Sequence, residues 1–380
     1  MVIYLLCFCF CSAGNETLPV QPVEGSDSES FSISRGSPVP SDAASQGSVG
    51  PGLRERILAV DRKTFLLQMM ERQHGSVIAQ AIVAGRRDST LAQQEISWRA
   101  FQSWLEADES REVDKTNLLE FCLYLRNSKG LAPSTIANYR AALARPLGLA
   151  AGINFDDFEF KDLDKYFFLS GPSYKKRIPR WSLEKVLQLL GSNPKYLSAT
   201  AKPRDLLRKL AFLLALATGN RVSELSAIDV SAMREDTEGT LSLPVDKSFR
   251  FKNERVNRTP PEIEVKSLPE DCVEICPVAT LKTFVARMGL ESGKLFINTK
   301  TKSPLRPASL SLLICNAIDE ADPGCFPRAH DVRKAAASLA WARGLSLQEI
   351  TRRCFWKDVS TFVRTYLFPM EGPGLALNTS

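Results

Sequence analysis

The sequence predicts a mainly α protein of two domains, the second of which adds a small antiparallel β-sheet. Three observations point there. Apolar residues recur at helical spacing through residues 54–168. Residues 204–218 (RDLLRKLAFLLALAT) form an almost wholly apolar run after the first turn. Between 240 and 267 the pattern changes to alternation.

In the first domain, Ile57, Val60, Phe65, Leu66, Met69 and Met70 return at turn spacing. Ile96, Ala100, Trp104 and Leu105 make a second stripe, and Leu118, Leu119, Cys122 and Leu125 a third. Trp98 and Trp104 are expected in the core. After Leu131-Ala-Pro, Ser134 is a candidate N-cap for a further helix carrying Ala137, Ala141 and Leu143. Residues 54–168 therefore read as a small helical bundle. Residues 1–53 are Ser-, Gly- and Pro-rich after an apolar start and are expected to be a disordered tail. Their opening VIYLLCFCFC looks like the core of a signal peptide but lacks a preceding base, so secretion is not expected. Residues 169–180 carry Lys175, Lys176, Arg177 and Arg180 and suggest a basic connector.

The second domain starts near Trp181. The run at 204–218 is too short to span a bilayer and reads as a central buried helix closed by Gly219. Leu241, Leu243 and Val245, with Ile263 and Val265 later, predict a hairpin or three-stranded sheet flanking the basic turn Lys252–Arg258. Helices are expected again at 277–288, 307–321, 331–343, 346–354 and 358–367, and a flexible tail at 371–380.

The chain carries +6 overall, but its first 50 residues hold five acids and one base (−4), leaving +10 for the remainder. A basic body suits a polyanionic partner, and a solvated basic surface accounts for it equally. The nine cysteines are scattered, and only His74 and His330 are present, so neither a structural zinc nor an extracellular disulfide framework is expected.

Chemistry is concentrated late in the chain. His330 and Arg333 are spaced i, i+3, which sets imidazole and guanidinium on one helix face after Pro327. Arg221 follows the apolar helix and a glycine break, with Glu224 three residues on to hold its fork. Phe362 and Tyr366 are spaced i, i+4 near the end. Each piece alone is ordinary: a surface pair, an exposed ion pair, a half-buried ring.

Taken in order, Gly-Asn-Arg221-Val-Ser-Glu-Leu, a basic hairpin turn, His330-Asp-Val-Arg333, Trp356 and Tyr366 resemble the tyrosine recombinase (phage integrase-like) family. The stretches Arg328–Trp341, Ser360–Tyr366 and Ser97–Trp104 look most like recombinases of DIRS-type retrotransposons. The resemblance spans roughly residues 54–370. It implies a helical, SAM-like core-binding domain at 54–168 and the tyrosine recombinase catalytic fold at 181–370.

It also implies roles. Arg221 and Arg333 match the two catalytic arginines, His330 the first histidine, Trp356 the position of a second His or Trp, and Tyr366 the nucleophile. Lys252 fits the family's hairpin lysine, with Lys247 as the alternative. Arg140, Lys175, Lys176, Arg177 and Arg180 are expected to touch double-stranded DNA. The expected assembly is a homotetramer on DNA in the nucleus or elsewhere inside the cell, with no cofactor, metal or membrane partner. Trp356 and Tyr366 are ten residues apart, one more than in many bacterial members, which would swing the tyrosine by about a third of a turn on an α-helix. One other reading stays open, a DNA-binding protein of mobile-element origin without catalysis; a type IB topoisomerase shares the tyrosine chemistry, but the helical domain before the catalytic one looks more like that of a recombinase.

Overall fold

The computed structural model describes residues 52–171, 178–255 and 257–367. They fall into two compact units, 52–171 and 178–367. The expectations for residues 1–51 and 371–380 lie outside the described residues.

The first unit is helical throughout its regular structure: α1 (Leu53–Ala59), α2 (Arg62–His74), α3 (Ser76–Ala84), α4 (Asp88–Glu106), α5 (Lys115–Asn127), α6 (Pro133–Ala151) and α7 (Phe158–Leu169). Its core gathers Phe65, Trp98, Phe101, Trp104, Phe121 and Phe160. Burying a ring of this size contributes about 2–3 kcal/mol. Trp98 keeps its indole N–H satisfied by donating to the carbonyl of Val60 at 3.1 Å. Two local expectations change. Ile96 is 62% exposed, because the buried stripe of α4 runs through Ser97, Trp98, Phe101, Trp104 and Leu105 instead. Ser134 lies inside the first turn of α6, since Pro133 takes the first helical position and Ala132 is the N-cap.

The second unit is built on α9 (Pro203–Thr218), which follows α8 (Leu183–Ser192). Every residue of α9 from Lys209 to Thr218 is buried. Helices α11 (Pro277–Met288), α12 (Pro307–Ala321) and α13 (Ala329–Ala342) pack around it. Between α9 and α11 come the short α10 (Val222–Leu225) and the strands β1 (Arg234–Glu235), β2 (Thr240–Ser242) and β3 (Glu264–Lys266). The strands form an antiparallel sheet in the order β1-β2-β3, with Leu241 opposite Val265. Those two side chains are buried, as the alternation predicts, while β1 carries no such alternation and was not legible. Two short helices, α14 (Leu347–Arg353) and α15 (Val359–Thr361), lead to a π-helical turn at Phe362–Tyr366. The expected single helix at 358–367 is thus one α-turn followed by one wider turn. Among the described residues no helix is long and apolar enough to cross a membrane.

Candidate active site

The site is assembled from the chain reversals that end α9 and α14 and from the first turns of α13. Gly219 closes α9 in the left-handed region, with φ 61°, where a side chain would be strained. The reversal makes Arg221 the N-cap residue of α10. Glu224 then folds back: its carboxylate accepts from the Arg221 backbone N–H at 2.8 Å and from Arg221 Nη1 at 2.6 Å. The same carboxylate lies 3.7 Å from Nη1 of Arg333. Glu224 and Arg333 are each 1% exposed. One buried carboxylate therefore holds two guanidinium groups in place, a role that its sequence position suggested for Arg221 alone.

Arg333 sits on α13, one turn after His330. Its Nη1 donates to the carbonyl of Gly219 at 2.6 Å and its Nη2 to the carbonyl of Cys354. Its Nε is buried and has no acceptor. The guanidinium carbon lies 5.0 Å from the ring centre of Trp356 and 5.8 Å from that of Tyr366.

Helix α14 ends in a tight reversal. Phe355 has φ 49°, an unfavourable conformation for a bulky side chain, and the backbone N–H of Trp356 closes on the carbonyl of Thr351 at 3.0 Å. This turn directs the indole of Trp356 inward, where it is buried with Nε1 lacking an acceptor. Trp356 lies 4.3 Å from the Tyr366 ring and stacks on Phe362 at 5.5 Å.

Tyr366 ends the π-turn. The N–H of Leu367 reaches the carbonyl of Phe362 at 2.9 Å, and the Ser338 hydroxyl donates to the carbonyl of Tyr366 at 3.0 Å. A π-turn holds one more residue than an α-turn. It takes up the surplus residue between Trp356 and Tyr366 that the sequence flagged. The phenol Oη lies 2.9 Å from Nε2 of His330.

With its proton on Nδ1, a neutral imidazole accepts the phenol hydrogen at Nε2. Desolvation, then the charges of Arg333, Lys334, Arg221 and Lys252, push the His330 pKa down to about 4. The ring is therefore neutral at ordinary pH.

Lys252 lies in an exposed turn after Phe251. Two tethers draw that turn to the Trp356 segment: Asn253 donates to the carbonyl of Phe355 at 2.8 Å, and Arg258 donates to the carbonyl of Trp356. Lys247 is exposed, and its carbonyl accepts from Arg250 at 2.9 Å. The charge of Lys252 is among those felt at His330.

The structure thus brings Arg221, His330, Arg333, Trp356 and Tyr366 together, with Lys252 close by. The expected DNA contacts fare differently. Lys175, Lys176 and Arg177 lie outside the described residues, and Arg180 is exposed. Arg140 is engaged within its own unit, donating to Asp164 at 2.5 Å and to the carbonyl of Phe160 at 3.0 Å. Sequence reasoning missed Lys334, Asn253 and Arg258. The last two were visible as polar members of the basic turn; Lys334 had no distinguishing signal.

No protein-family profile and no curated protein matches the chain. Solved structures do. A XerH site-specific recombinase, in a post-cleavage complex with a palindromic difH substrate, is 17% identical, covering 81% of this chain and 88% of that one with TM-score 0.52. A lambda integrase dimer bound to a COC′ core site is 18% identical, covering 86% of this chain and 85% of that one with TM-score 0.50. The chain has the tyrosine recombinase fold. This likeness carries the fold, mainly α with a small antiparallel sheet, as the sequence resemblance implied.

Proposed function

We propose that this chain is a site-specific DNA recombinase that cleaves and rejoins strands through Tyr366. The single observation that carries the reading is the Tyr366 phenol, 2.9 Å from a neutral His330, ringed by Arg221, Arg333 and Trp356.

Each residue has a definite task. The Tyr366 oxygen attacks a backbone phosphorus, forming the phosphotyrosyl bond as the bond to the 5′ oxygen breaks. His330 Nε2 is placed to receive the phenol proton. A bound phosphate would offset the cations around the ring and raise its basicity at the moment it is needed. Arg221 and Arg333 neutralise the charge that grows on the non-bridging oxygens, worth about 3 kcal/mol for each well-placed donor. The unpaired Arg333 Nε and Trp356 Nε1 supply N–H groups that nothing in the protein uses. Lys252 protonates the leaving 5′ oxygen. A second 5′-hydroxyl reverses the step, so the covalent link keeps the bond energy and no nucleotide cofactor is required.

The helical unit at 52–171 supplies a core-binding domain in this reading. Recombination by a homotetramer on duplex DNA, a nuclear setting and descent from a DIRS-type retrotransposon follow from the sequence resemblance. The Arg328–Trp341 and Ser360–Tyr366 stretches support that descent.

The test is a suicide duplex bearing the element's termini, incubated with the full chain and resolved on a denaturing gel. A protein–DNA adduct that disappears in Tyr366→Phe is expected. Duplex binding without any adduct would replace this reading with that of a DNA-binding protein lacking catalysis.

A further inference from the structure

We propose that Arg62, Arg86 and Arg145 in the helical unit form a seat for a phosphate group. The chain brings the three together from different elements. Arg62 opens α2 and is 1% exposed. Its Nε donates to the carbonyl of Ala142 on α6 at 2.7 Å, which lays its guanidinium beside that helix. Arg145 is one turn further along the same helix, so it lies on the same face as Ala142. Arg86 follows α3 and donates to Gln94 Oε1 on α4 at 3.2 Å. The next residue of α4, Glu95, accepts the backbone N–H of Arg62 at 2.9 Å.

The cluster is short of negative charge. Glu95 is the carboxylate at its centre, and it also pairs with Arg99 at 3.1 Å. Arg86 bonds a neutral amide, and Arg145 has no carboxylate partner among the described residues. Arg62 Nη2 is buried and without an acceptor. Burial and the charges of Arg86 and Arg145 depress the Arg62 pKa to about 10 even though Glu95 opposes them. Like charges converging on an unsatisfied buried donor lack an anion.

The chemistry of that anion follows from the donors. Guanidinium forks match oxyanions, and several forks from different directions suit a phosphate, with its spread of acceptor oxygens and full charge, better than a planar carboxylate. Arg145 is exposed and Arg86 partly so, which makes them the rim that an arriving phosphate meets first. Arg62 forms the floor and gains the acceptor its Nη2 lacks.

The phosphate belongs either to a DNA backbone or to a free small molecule, and two arms separate these sources. The variants are Arg86→Gln and Arg145→Gln, which leave the buried Arg62 in place and are expected to fold. In the first arm, binding of the full chain to unrelated duplexes is followed against salt. A backbone phosphate predicts weaker binding for all duplexes alike, and a salt slope lower by about 1 for each variant. In the second arm, melting of the full chain is compared in inorganic phosphate and in chloride at matched ionic strength. A free-phosphate seat predicts a Tm rise of about 2–4 °C at several times Kd, lost in both variants. Variants that match the parent chain in both arms overturn the proposal. Neither arm involves Tyr366 chemistry, so loss of the covalent adduct and loss of this seat are separate outcomes.

Discussion

Two of the cations buried in the second unit, Lys209 and Arg333, are buried differently. Lys209 on α9 donates to the carbonyl of Tyr196 and to Glu274, each at 2.9 Å, and its ammonium group is closed off among them. Arg333 on α13 is tied to two carbonyls and to Glu224, yet its Nε is left without an acceptor beside the equally unpaired Trp356 Nε1. A cation that only holds the fold together uses its donors within the protein. One that is also to receive a ligand is fixed by some donors and keeps others in reserve. On the proposed reading, the fixed contacts of Arg333 hold its spare N–H in place for the charge that develops.

The sharpest way to break this contrast is to remove each cation. Arg333→Ala should lower strand cleavage by about 10²–10³-fold. It should also destabilise the protein by about 3–5 kcal/mol, because Glu224 is left buried without its second partner. Lys209→Met should cost about 1–3 kcal/mol, since Glu274 is partly exposed and can rehydrate. Its cleavage rate per folded molecule should not change. Urea midpoints alongside single-turnover cleavage measure both; a cleavage defect in Lys209→Met comparable to that in Arg333→Ala would erase the distinction.

A smaller effect is expected from Trp356→Phe, which removes the reserved N–H and keeps much of the packing against Phe362 and Tyr366. Cleavage should slow about 10-fold or more, as for one hydrogen bond to a charged group, with a stability change below about 1.5 kcal/mol. Equal rates for the two proteins would mean that the indole serves packing alone.

The mildest signature is in pH. Above about 6.5, His330 is neutral whether the chain is folded or unfolded and adds no pH dependence. From 6.5 down to about 4 the unfolded chain takes up a proton that the folded chain resists, so stability falls with pH and levels off below that window. His330→Asn should flatten this stretch of a urea-midpoint profile. Glu349 acts in a lower window: bonded by Arg352 and Arg353, its carboxyl is held at about 2, so its contribution is present above 4.5 and lost toward 2. An unchanged slope between 6.5 and 4 in the variant would assign the loss elsewhere.

Much of this architecture was legible because helix periodicity and strand alternation report burial directly. The apolar run at 204–218 became α9, and Leu241 and Val265 became paired positions. The failures were local. Ile96 belongs to a run in which several apolar residues compete for one face, and the larger Trp98 and Phe101 won it. Ser134 lost its capping place because Pro133 fits the first helical position without needing an N–H partner. Residue order singled out Arg221, His330, Arg333, Trp356 and Tyr366, which the structure brings together, but not what arranges them. The bridge through Glu224 and the tethers of Asn253 and Arg258 to the Trp356 segment join positions far apart in sequence. No spacing rule reaches across such gaps. The Arg62 cluster was unreadable for the same reason, since its three members come from separate elements.

The π-turn at Phe362–Tyr366 gives the end of the chain a kind of slack. In an α-helix, an inserted residue rotates everything beyond it and would turn the phenol away from His330. A wider turn stores the insertion locally, so spacing and orientation can vary independently. The distance along the sequence from Trp356 to Tyr366 is then a poor guide to whether the hydroxyl is aimed correctly. What has to be kept is the phase of a single ring.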